Sequence, residues 1–249
     1  MAYQLNIDGV YNMRDLGGYP TADGGVTRRG VFVRSGVLTE LSPAAQQQII
    51  DYGITTIIDL RNEDELVLTP NSFTDSTVVR YHHLPIVGQE LAATDRWQTV
   101  ASIYYPELHD YYAQHLPICT EKISAIMSAL IDSPDAVLFH CYAGKDRTGM
   151  ITGLLLGAVG VPDAIIGEDY ALTGAGIAHL VTTWRENAIK NGDDMAIFER
   201  GVASKAETML ELMRHIRQNY GGAAEYLRTV GITDEQIARL RARFVEYPR

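Results

Sequence analysis

The sequence predicts an α/β fold with a central, mostly parallel sheet, flanking helices and a helical C-terminal part. Three observations carry this prediction. Short apolar runs rich in β-branched residues recur up to Phe139, helical patterns separate them, and only helical patterns follow Val161-Pro162. The chain has 249 residues, without an internal repeat or a low-complexity linker, so we expect a single domain over residues 1–249.

The strand candidates are four apolar segments: Val31–Val33, Ile54–Leu60, Val78–Val87 and Ala136–Phe139. Before them, residues 12–30 are dense in Gly, Asp and Arg, which indicates loops and turns. Between the first two candidates, Ser42-Pro43 predicts the start of a helix, because Pro is favoured in a first helical turn.

Helical patterns occupy much of the remaining chain. Clustered aromatic residues with weak periodicity predict a helical insertion near residues 88–116, beside a pocket. Three apolar stripes at helical spacing predict buried helix faces: Ile123, Ile126, Met127, Leu130 and Ile131; Met209, Leu210, Leu212, Met213 and Ile216; Ile237, Leu240 and Phe244. We interpret these stripes as core rather than as functional surfaces.

Composition narrows the class of protein. The net charge of −10 argues against general binding to nucleic acid or anionic lipid. No long apolar run predicts a membrane insertion, and the N-terminus does not resemble a secretory signal, so we expect a cytoplasmic protein unless export proceeds without a cleaved signal. The 2 cysteines and 7 scattered histidines do not give metal-site spacing, and we expect no metal or other cofactor.

The segment from Ala136 to Gly157 carries the chemistry. It predicts a buried strand, a turn that runs from Cys141 to Arg147, and a helix. In parallel α/β sheets, ligands collect at the carboxyl ends of strands, where this turn lies. A lone cysteine at a strand end is usually a small buried apolar residue. Here, however, the neighbouring residues are all of types that favour an anion-binding site.

Each residue type in this turn suits a phosphate group. Backbone N–H groups at a helix start favour negative charge, and Gly144 lets them converge. Arg147 offers a planar fork for two phosphate oxygens, while the positive surroundings favour a nucleophilic thiolate at Cys141. Thr148 can donate a hydrogen bond to the sulfur, and His140 can orient the turn. The expected phosphate-binding residues are Tyr142, Ala143, Gly144, Lys145 and Thr148.

At residues 140–149, HCYAGKDRTG matches the signature loop of the cysteine-dependent protein tyrosine phosphatase superfamily. Its Gly-Lys-Asp-Arg-Thr-Gly form resembles the bacterial tyrosine and dual-specificity phosphatases, with some kinship to the loop of myotubularin lipid phosphatases. Residues 12–36, 54–65 and 220–241 are also similar to segments of that family. The resemblance therefore spans most of the chain and is weakest over about residues 88–120.

The resemblance implies a protein tyrosine phosphatase-like fold and hydrolysis of phosphomonoesters through a phosphocysteine, without a metal. Phosphotyrosine is the expected substrate, with phosphoserine, phosphothreonine or phosphoinositides as further ones; the partners are thus phosphorylated proteins or phospholipids. By the same resemblance, Cys141 is the nucleophile, Arg147 binds phosphate and Asp146 donates a proton. The sequence does not predict an oligomeric state or a physiological substrate.

Three aspartates compete as the general acid that the leaving oxygen requires. Asp146 lies inside the loop and is near the phosphate whatever the fold, so it ranks first. Asp59 follows a predicted strand and reaches the same sheet end if the strands are parallel; pairing with Arg61 is the slightly better interpretation. Asp110 ranks third, because its neighbours predict a helix rather than a mobile loop.

Other interpretations remain open at this point. A catalytically inactive phosphoprotein-binding module would normally have a damaged loop, and the Gly-Lys-Asp-Arg-Thr-Gly run argues against sulfur transfer. Lys145 either adds positive potential at the phosphate or points to solvent. A salt-bridged scaffold under the loop is the preferred interpretation for a set of N-terminal polar residues: Asn12, Arg14, Asp15, Arg34 and Ser35.

Overall fold

The computed structural model describes residues 3–86 and 107–248. Its strands are β1 (Tyr3–Gln4), β2 (Arg14–Asp15), β3 (Val26–Thr27), β4 (Phe32–Ser35), β5 (Ile54–Asp59), β6 (Arg80–His83), β7 (Ala136–His140) and β8 (Val245–Glu246). Its helices are α1 (Pro43–Asp51), α2 (Glu63–Leu68), α3 (Leu108–Ile118), α4 (Thr120–Asp132), α5 (Asp146–Ala158), α6 (Asp163–Ala171), α7 (Thr173–Gly176), α8 (Ala178–Asn191), α9 (Met195–Val202), α10 (Ala206–Tyr220), α11 (Ala223–Thr229) and α12 (Asp234–Phe244).

The main sheet has the strand order β1-β2-β4-β7-β5-β6. Strands β4, β7, β5 and β6 run parallel to one another, and β1 and β2 add an antiparallel edge. In the register, His140 at the end of β7 pairs with both Ser35 and Asp59. Strands β4, β7 and β5 therefore end at one edge of the sheet, and the loop after β7 begins between the ends of β4 and β5. The predicted mostly parallel α/β sheet is confirmed.

Helices cover both faces of this sheet. One apolar cluster contains α4, α5, α10 and α12, including the stripes predicted from Ile123, Met209 and Ile237, and a smaller one packs α1 on the opposite face. Leu210 is the exception in these stripes: it is only half-buried and lies outside the cluster. The central strand β7 is buried along its whole length, as expected for a strand covered on both sides. Among the helices of the described residues, none combines the length and apolar character that a membrane crossing requires.

The predicted elements shift by small amounts. The Val31–Val33 candidate becomes β4 one residue later. Within the described part of the Val78–Val87 candidate, the strand is β6, whose four residues pair in register with β5. Helix α1 begins as predicted: the Ser42 hydroxyl caps the amide of Ala45. The region read only as loops contains the two-residue strands β2 and β3.

The predicted helical insertion near residues 88–116 falls largely on residues 87–106, outside the described residues, and Trp97, Tyr104 and Tyr105 lie there. Its last part is the start of α3. This helix continues past 116 to Ile118, and α4 follows after a single residue, Cys119.

Candidate active site

The loop after β7 lies at the edge where the parallel strands end. Cys141 is buried directly after the strand, and α5 begins at Asp146. Gly144 has a φ of +66°, and a Cβ on it would lie 2.3 Å from the carbonyl oxygen of Ser35. A side chain at this position would therefore be strained and would collide with the end of β4, so the tight turn depends on glycine.

Donors from the N-terminal segment hold the loop carbonyls. The Asn12 amide donates to the Gly144 oxygen at 3.0 Å and to the carbonyl before it at 2.9 Å. Arg34 also donates to the Gly144 oxygen at 2.7 Å, and the Tyr11 hydroxyl donates to the Tyr142 oxygen at 2.9 Å. In a trans peptide the N–H points opposite to the C=O. The amides after these carbonyls therefore face away from the scaffold, toward the mouth of the loop.

A buried ion cluster supports these donors. Asp169 on α6 pairs with Arg14 at 2.8 Å and with Arg34 at 2.6 Å, and all three side chains are almost fully buried. Burial by itself would raise the pKa of Asp169, but the two guanidinium groups hold it below its usual range. The scaffold interpretation of the N-terminal polar residues is thus confirmed for Asn12, Arg14 and Arg34, and the sequence alone did not identify Asp169 as its anchor.

Arg147 is fixed by a carboxylate from a different part of the chain. Its Nη1 and Nη2 atoms both donate to Glu65, the latter at 2.7 Å to Oε1. Glu65 also accepts the backbone N–H of Asn62 at 2.8 Å, which closes a capping box at the start of α2. Burial raises the pKa of Glu65, and the charge of Arg147 more than offsets this, so the net shift is downward. The contact uses two of the five guanidinium N–H donors.

Asp146 is held by a tyrosine of another helix. The buried Tyr112 hydroxyl on α3 donates to its Oδ1, and the hydroxyls of Tyr112 and Tyr170 lie 2.9 Å apart. The Asp146 side chain keeps 26% of its surface exposed. This carboxyl is therefore anchored by one oxygen while it still reaches solvent at the loop.

The Lys145 side chain turns inward from the loop, which contradicts the solvent-directed alternative. Its ammonium donates to the carbonyl of Gly201 and, at 3.1 Å, to that of Ala203, at the end of α9. It also lies 3.3 Å from Asp146, and only 3% of it is exposed. The ammonium is therefore committed to these oxygens and does not point to solvent. Within the loop, its backbone remains a candidate phosphate contact.

Asp59 lies at the same sheet end, as parallel strands require, but in a closed environment. Arg61 donates to both of its oxygens, at 2.9 and 2.7 Å, and Tyr81 donates at 3.0 Å. Although burial opposes it, the hydrogen bonds and the charge of Arg61 hold the pKa of Asp59 below its usual range. A fully buried carboxylate of this kind retains no proton to donate, so the geometry favours the ion-pair interpretation.

His140 and Thr148 flank the nucleophile candidate. The Nδ1 atom of His140 lies 3.0 Å from the Cys141 carbonyl and its Nε2 atom lies 2.9 Å from the Asn71 amide nitrogen. Burial lowers the pKa of His140, so a neutral ring that donates to Cys141 and accepts from Asn71 satisfies both contacts. The Thr148 hydroxyl is buried and has no hydrogen-bond partner among the described residues, so the predicted hydrogen bond to the Cys141 sulfur is not formed in this structure.

Asp110, the third acid candidate, is on α3 as its neighbours predicted. Its side chain is about half exposed and pairs with His109 of the same helix at 3.5 Å. Nothing in this geometry places it at the loop.

Several residues at the site escaped sequence reasoning, among them Glu65, Tyr112 and Asp169. Glu65 could not be identified as a site residue from the sequence, because a Glu three residues after Asn62 is already explained by a capping box at a helix start. Tyr112 and Asp169 sit within helical patterns that give no reason to separate them from ordinary core or surface positions.

Comparisons with known proteins agree with this geometry. A family model described as "Tyrosine phosphatase family" matches residues 5–246. The chain is 30% identical over 227 residues to a tyrosine-protein phosphatase of Nostoc commune, across 85% of this chain and 73% of that protein. It is 25% identical over 271 residues to the triple specificity protein phosphatase PtpB of Mycobacterium tuberculosis, across 94% of this chain and 96% of that protein.

Proposed function

This chain belongs to the tyrosine phosphatase family and is a phosphatase; we propose that it hydrolyses phosphomonoesters, chiefly phosphotyrosine, through a phosphocysteine on Cys141. The observation that carries the proposal is the geometry of the loop between β7 and α5. Its carbonyls are bound to the scaffold, its amides face outward, and a buried cysteine stands at one end and a fixed arginine at the other. The whole chain is proposed to be one phosphatase domain.

In the first half-reaction, the Cys141 thiolate attacks phosphorus and the bond between phosphorus and the ester oxygen breaks. The departing oxygen takes the proton of Asp146, and the phosphoryl group remains on sulfur. In the second, water attacks the same phosphorus and gives a proton to the Asp146 carboxylate. The sulfur–phosphorus bond then breaks, releasing orthophosphate and the thiolate.

Arg147 and the loop amides supply the electrostatic part of catalysis. Negative charge on the transferring phosphoryl oxygens is met by backbone N–H groups and by a guanidinium. Glu65 binds two N–H donors of Arg147 and so fixes the conformation of this side chain. The remaining N–H groups of Arg147 are therefore already oriented to bind the phosphate. We assign Glu65 a positioning role on this basis.

The choice of Asp146 over Asp59 as the acid rests on protonation and access. A general acid must carry a proton and reach the leaving oxygen. Asp59 is buried under Arg61 and Tyr81 and is held ionised. Asp146 is partly exposed at the loop itself. This arrangement supports the order of candidates that the loop position alone suggested.

The substrate range is part of the proposal. Tyr142 on the loop and Trp184 on α8 have ring centroids 6.3 Å apart, which gives the mouth an aromatic border suited to a phenyl leaving group. The name of the mycobacterial relative includes the words triple specificity, which supports a substrate range wider than phosphotyrosine alone. The further substrates that we propose are phosphoserine, phosphothreonine and phosphoinositides. A reducing compartment such as the cytoplasm suits the two free thiols, Cys119 and Cys141.

The test is phosphate release from phosphotyrosine, phosphoserine and phosphothreonine peptides and from phosphoinositides, with Cys141→Ser as the control. Acid quenching during turnover of the wild-type enzyme should trap one phosphoryl group on the peptide that contains Cys141, found by mass spectrometry. Turnover without a trapped phosphocysteine, or equal turnover by Cys141→Ser, would contradict the mechanism. Tight phosphopeptide binding without turnover would instead support the inactive binding module.

A further inference from the structure

We propose that Tyr112 is a positioning residue for the general acid: its hydroxyl fixes one oxygen of Asp146 so that the other carries the transferable proton. The inference rests on the proposed function, in which Asp146 is that acid. It assigns a role to a residue of α3, an element that contributes nothing to the loop sequence itself.

The hydrogen-bond directions follow from counting protons. Asp146 Oδ1 can only accept from Tyr112 when the carboxylate is ionised, so the single hydroxyl proton of Tyr112 is committed to it. The Tyr170 hydroxyl, 2.9 Å away, must then donate to the Tyr112 oxygen. The result is a directed chain from Tyr170 through Tyr112 to Asp146.

This chain distinguishes the two oxygens of the carboxyl. Oδ1 accepts from Tyr112 and also lies 3.3 Å from the Lys145 ammonium. A proton placed on Oδ1 would face two donors, whereas a proton on Oδ2 would leave both contacts intact. The proton of the neutral acid therefore belongs on Oδ2, the oxygen that the anchor leaves free for the leaving group.

The anchor also keeps the carboxylate away from the phosphate amides. Asp146 is the first residue of α5, and a carboxylate in a first turn is attracted to the free N–H groups of that turn. Those same groups are proposed to bind the substrate phosphate. Holding Oδ1 on Tyr112 leaves these amides to the phosphate.

Tyr112 is suited to this task because it is rigid and remains protonated. Tyr112 and Tyr170 are both buried, with their rings in an edge-to-face arrangement at 6.5 Å. Burial and the nearby Asp146 charge raise the pKa of Tyr112 well above its ordinary value. The hydroxyl can therefore donate whether Asp146 is ionised or neutral, throughout the catalytic cycle.

The experiment compares Tyr112→Phe with wild type on phosphate esters whose leaving groups span a range of pKa. Phenylalanine keeps the buried ring and deletes only the hydroxyl. We expect kcat/KM for an activated aryl phosphate to change little, and kcat/KM for an alkyl phosphate to fall roughly tenfold or more. KM should stay near its wild-type value, because the phosphate cradle is untouched.

Tyr226→Phe is the matched control. Tyr226 is also buried and its hydroxyl also donates to α3, to the carbonyl of Leu116 at 2.7 Å, but it does not contact the loop. Its loss should leave the leaving-group dependence unchanged. Tyr170→Phe tests the second link of the chain, and should shift that dependence in the same direction as Tyr112→Phe by a smaller factor.

The double variant Tyr112→Phe/Asp146→Asn separates positioning from folding. It should be no slower than Asp146→Asn alone, since Tyr112 acts only through that carboxyl. Two results would overturn the inference even if Asp146→Asn showed leaving-group dependence. One is an equal loss of activity by Tyr112→Phe on all leaving groups, and the other is a double variant whose loss is the full sum of the two single losses. If Asp146→Asn itself showed none, the acid assignment would fall and this inference with it.

Discussion

The contact between Glu65 and Arg147 gives the sharpest quantitative prediction, through the substitution Glu65→Gln. Glutamine preserves the length of the side chain and can still complete the capping box with Asn62, so α2 should remain intact. It replaces one carboxylate oxygen with an amide NH2 that cannot accept from the guanidinium. The change therefore removes about one charge-assisted hydrogen bond from Arg147.

A charge-assisted hydrogen bond contributes about 1.5–3 kcal/mol. The two side chains are 19% and 23% exposed, so water can partly replace the lost contact and the lower end applies. About 1.4 kcal/mol corresponds to a factor of ten. We therefore expect kcat/KM to fall roughly tenfold, by the same factor for every leaving group, because Arg147 acts on the phosphoryl oxygens common to all substrates.

The assay is steady-state hydrolysis of an activated aryl phosphate and an alkyl phosphate, together with the inhibition constant of orthophosphate. Glu63→Gln is the control, since Glu63 is an exposed glutamate on the same helix. Unchanged kinetics in Glu65→Gln would show that Arg147 does not depend on this contact. Tighter phosphate binding would refute the reasoning more directly, because Glu65 would then be competing with the substrate for Arg147.

Three further outcomes are expected. Cys141→Ser should lose turnover but still bind orthophosphate, because the loop amides and Arg147 are unchanged; loss of binding as well, seen by calorimetry, would indicate a collapsed loop. Activity should persist in EDTA and be blocked by vanadate, and activity restored only by a divalent metal would contradict the thiol mechanism. Asp169→Asn should lower the free energy of unfolding by about 3–5 kcal/mol, because it leaves Arg14 and Arg34 buried without a counter-charge. Folding lowers the pKa of Asp169, so its contribution to the free energy of unfolding is fully present above the unfolded value of about 3.9 and declines as the pH falls below that value. Urea titrations should therefore show that the difference in free energy of unfolding between wild type and variant becomes smaller at acidic pH. A difference that does not depend on pH would refute this assignment.

Sequence reasoning succeeded where the interactions are local along the chain. The strand–loop–helix unit around Cys141 could be predicted because apolar β-branched residues, Gly144 and the following helical pattern are consecutive. The pairing of Asp59 with Arg61 was anticipated for the same reason, since the two residues are only two positions apart. Here local pattern and tertiary structure require the same arrangement.

Sequence reasoning failed where partners come from distant segments. Glu65 and Arg147 are separated by 82 residues, and Tyr112 and Asp146 by 34. No periodicity or spacing connects such pairs, because their meeting depends on how helices settle on the sheet. Lys145 illustrates the same limit: its side chain looks solvent-directed or phosphate-directed in sequence, and only the position of α9 reveals the carbonyls that bind it.

Asp169 and Tyr170 are consecutive on α6, yet they support different residues of the loop. Asp169 acts through Arg34 on the Gly144 carbonyl, and Tyr170 acts through Tyr112. Each residue of an α-helix is turned by about 100° from the one before it. Inserting or deleting a single residue in α6 before this pair would therefore rotate both side chains away from their partners together. This helix should tolerate many replacements on its outer surface during divergence but no change of length, and a homologue with a gap at this pair would be a good place to look for a phosphatase that has lost its activity.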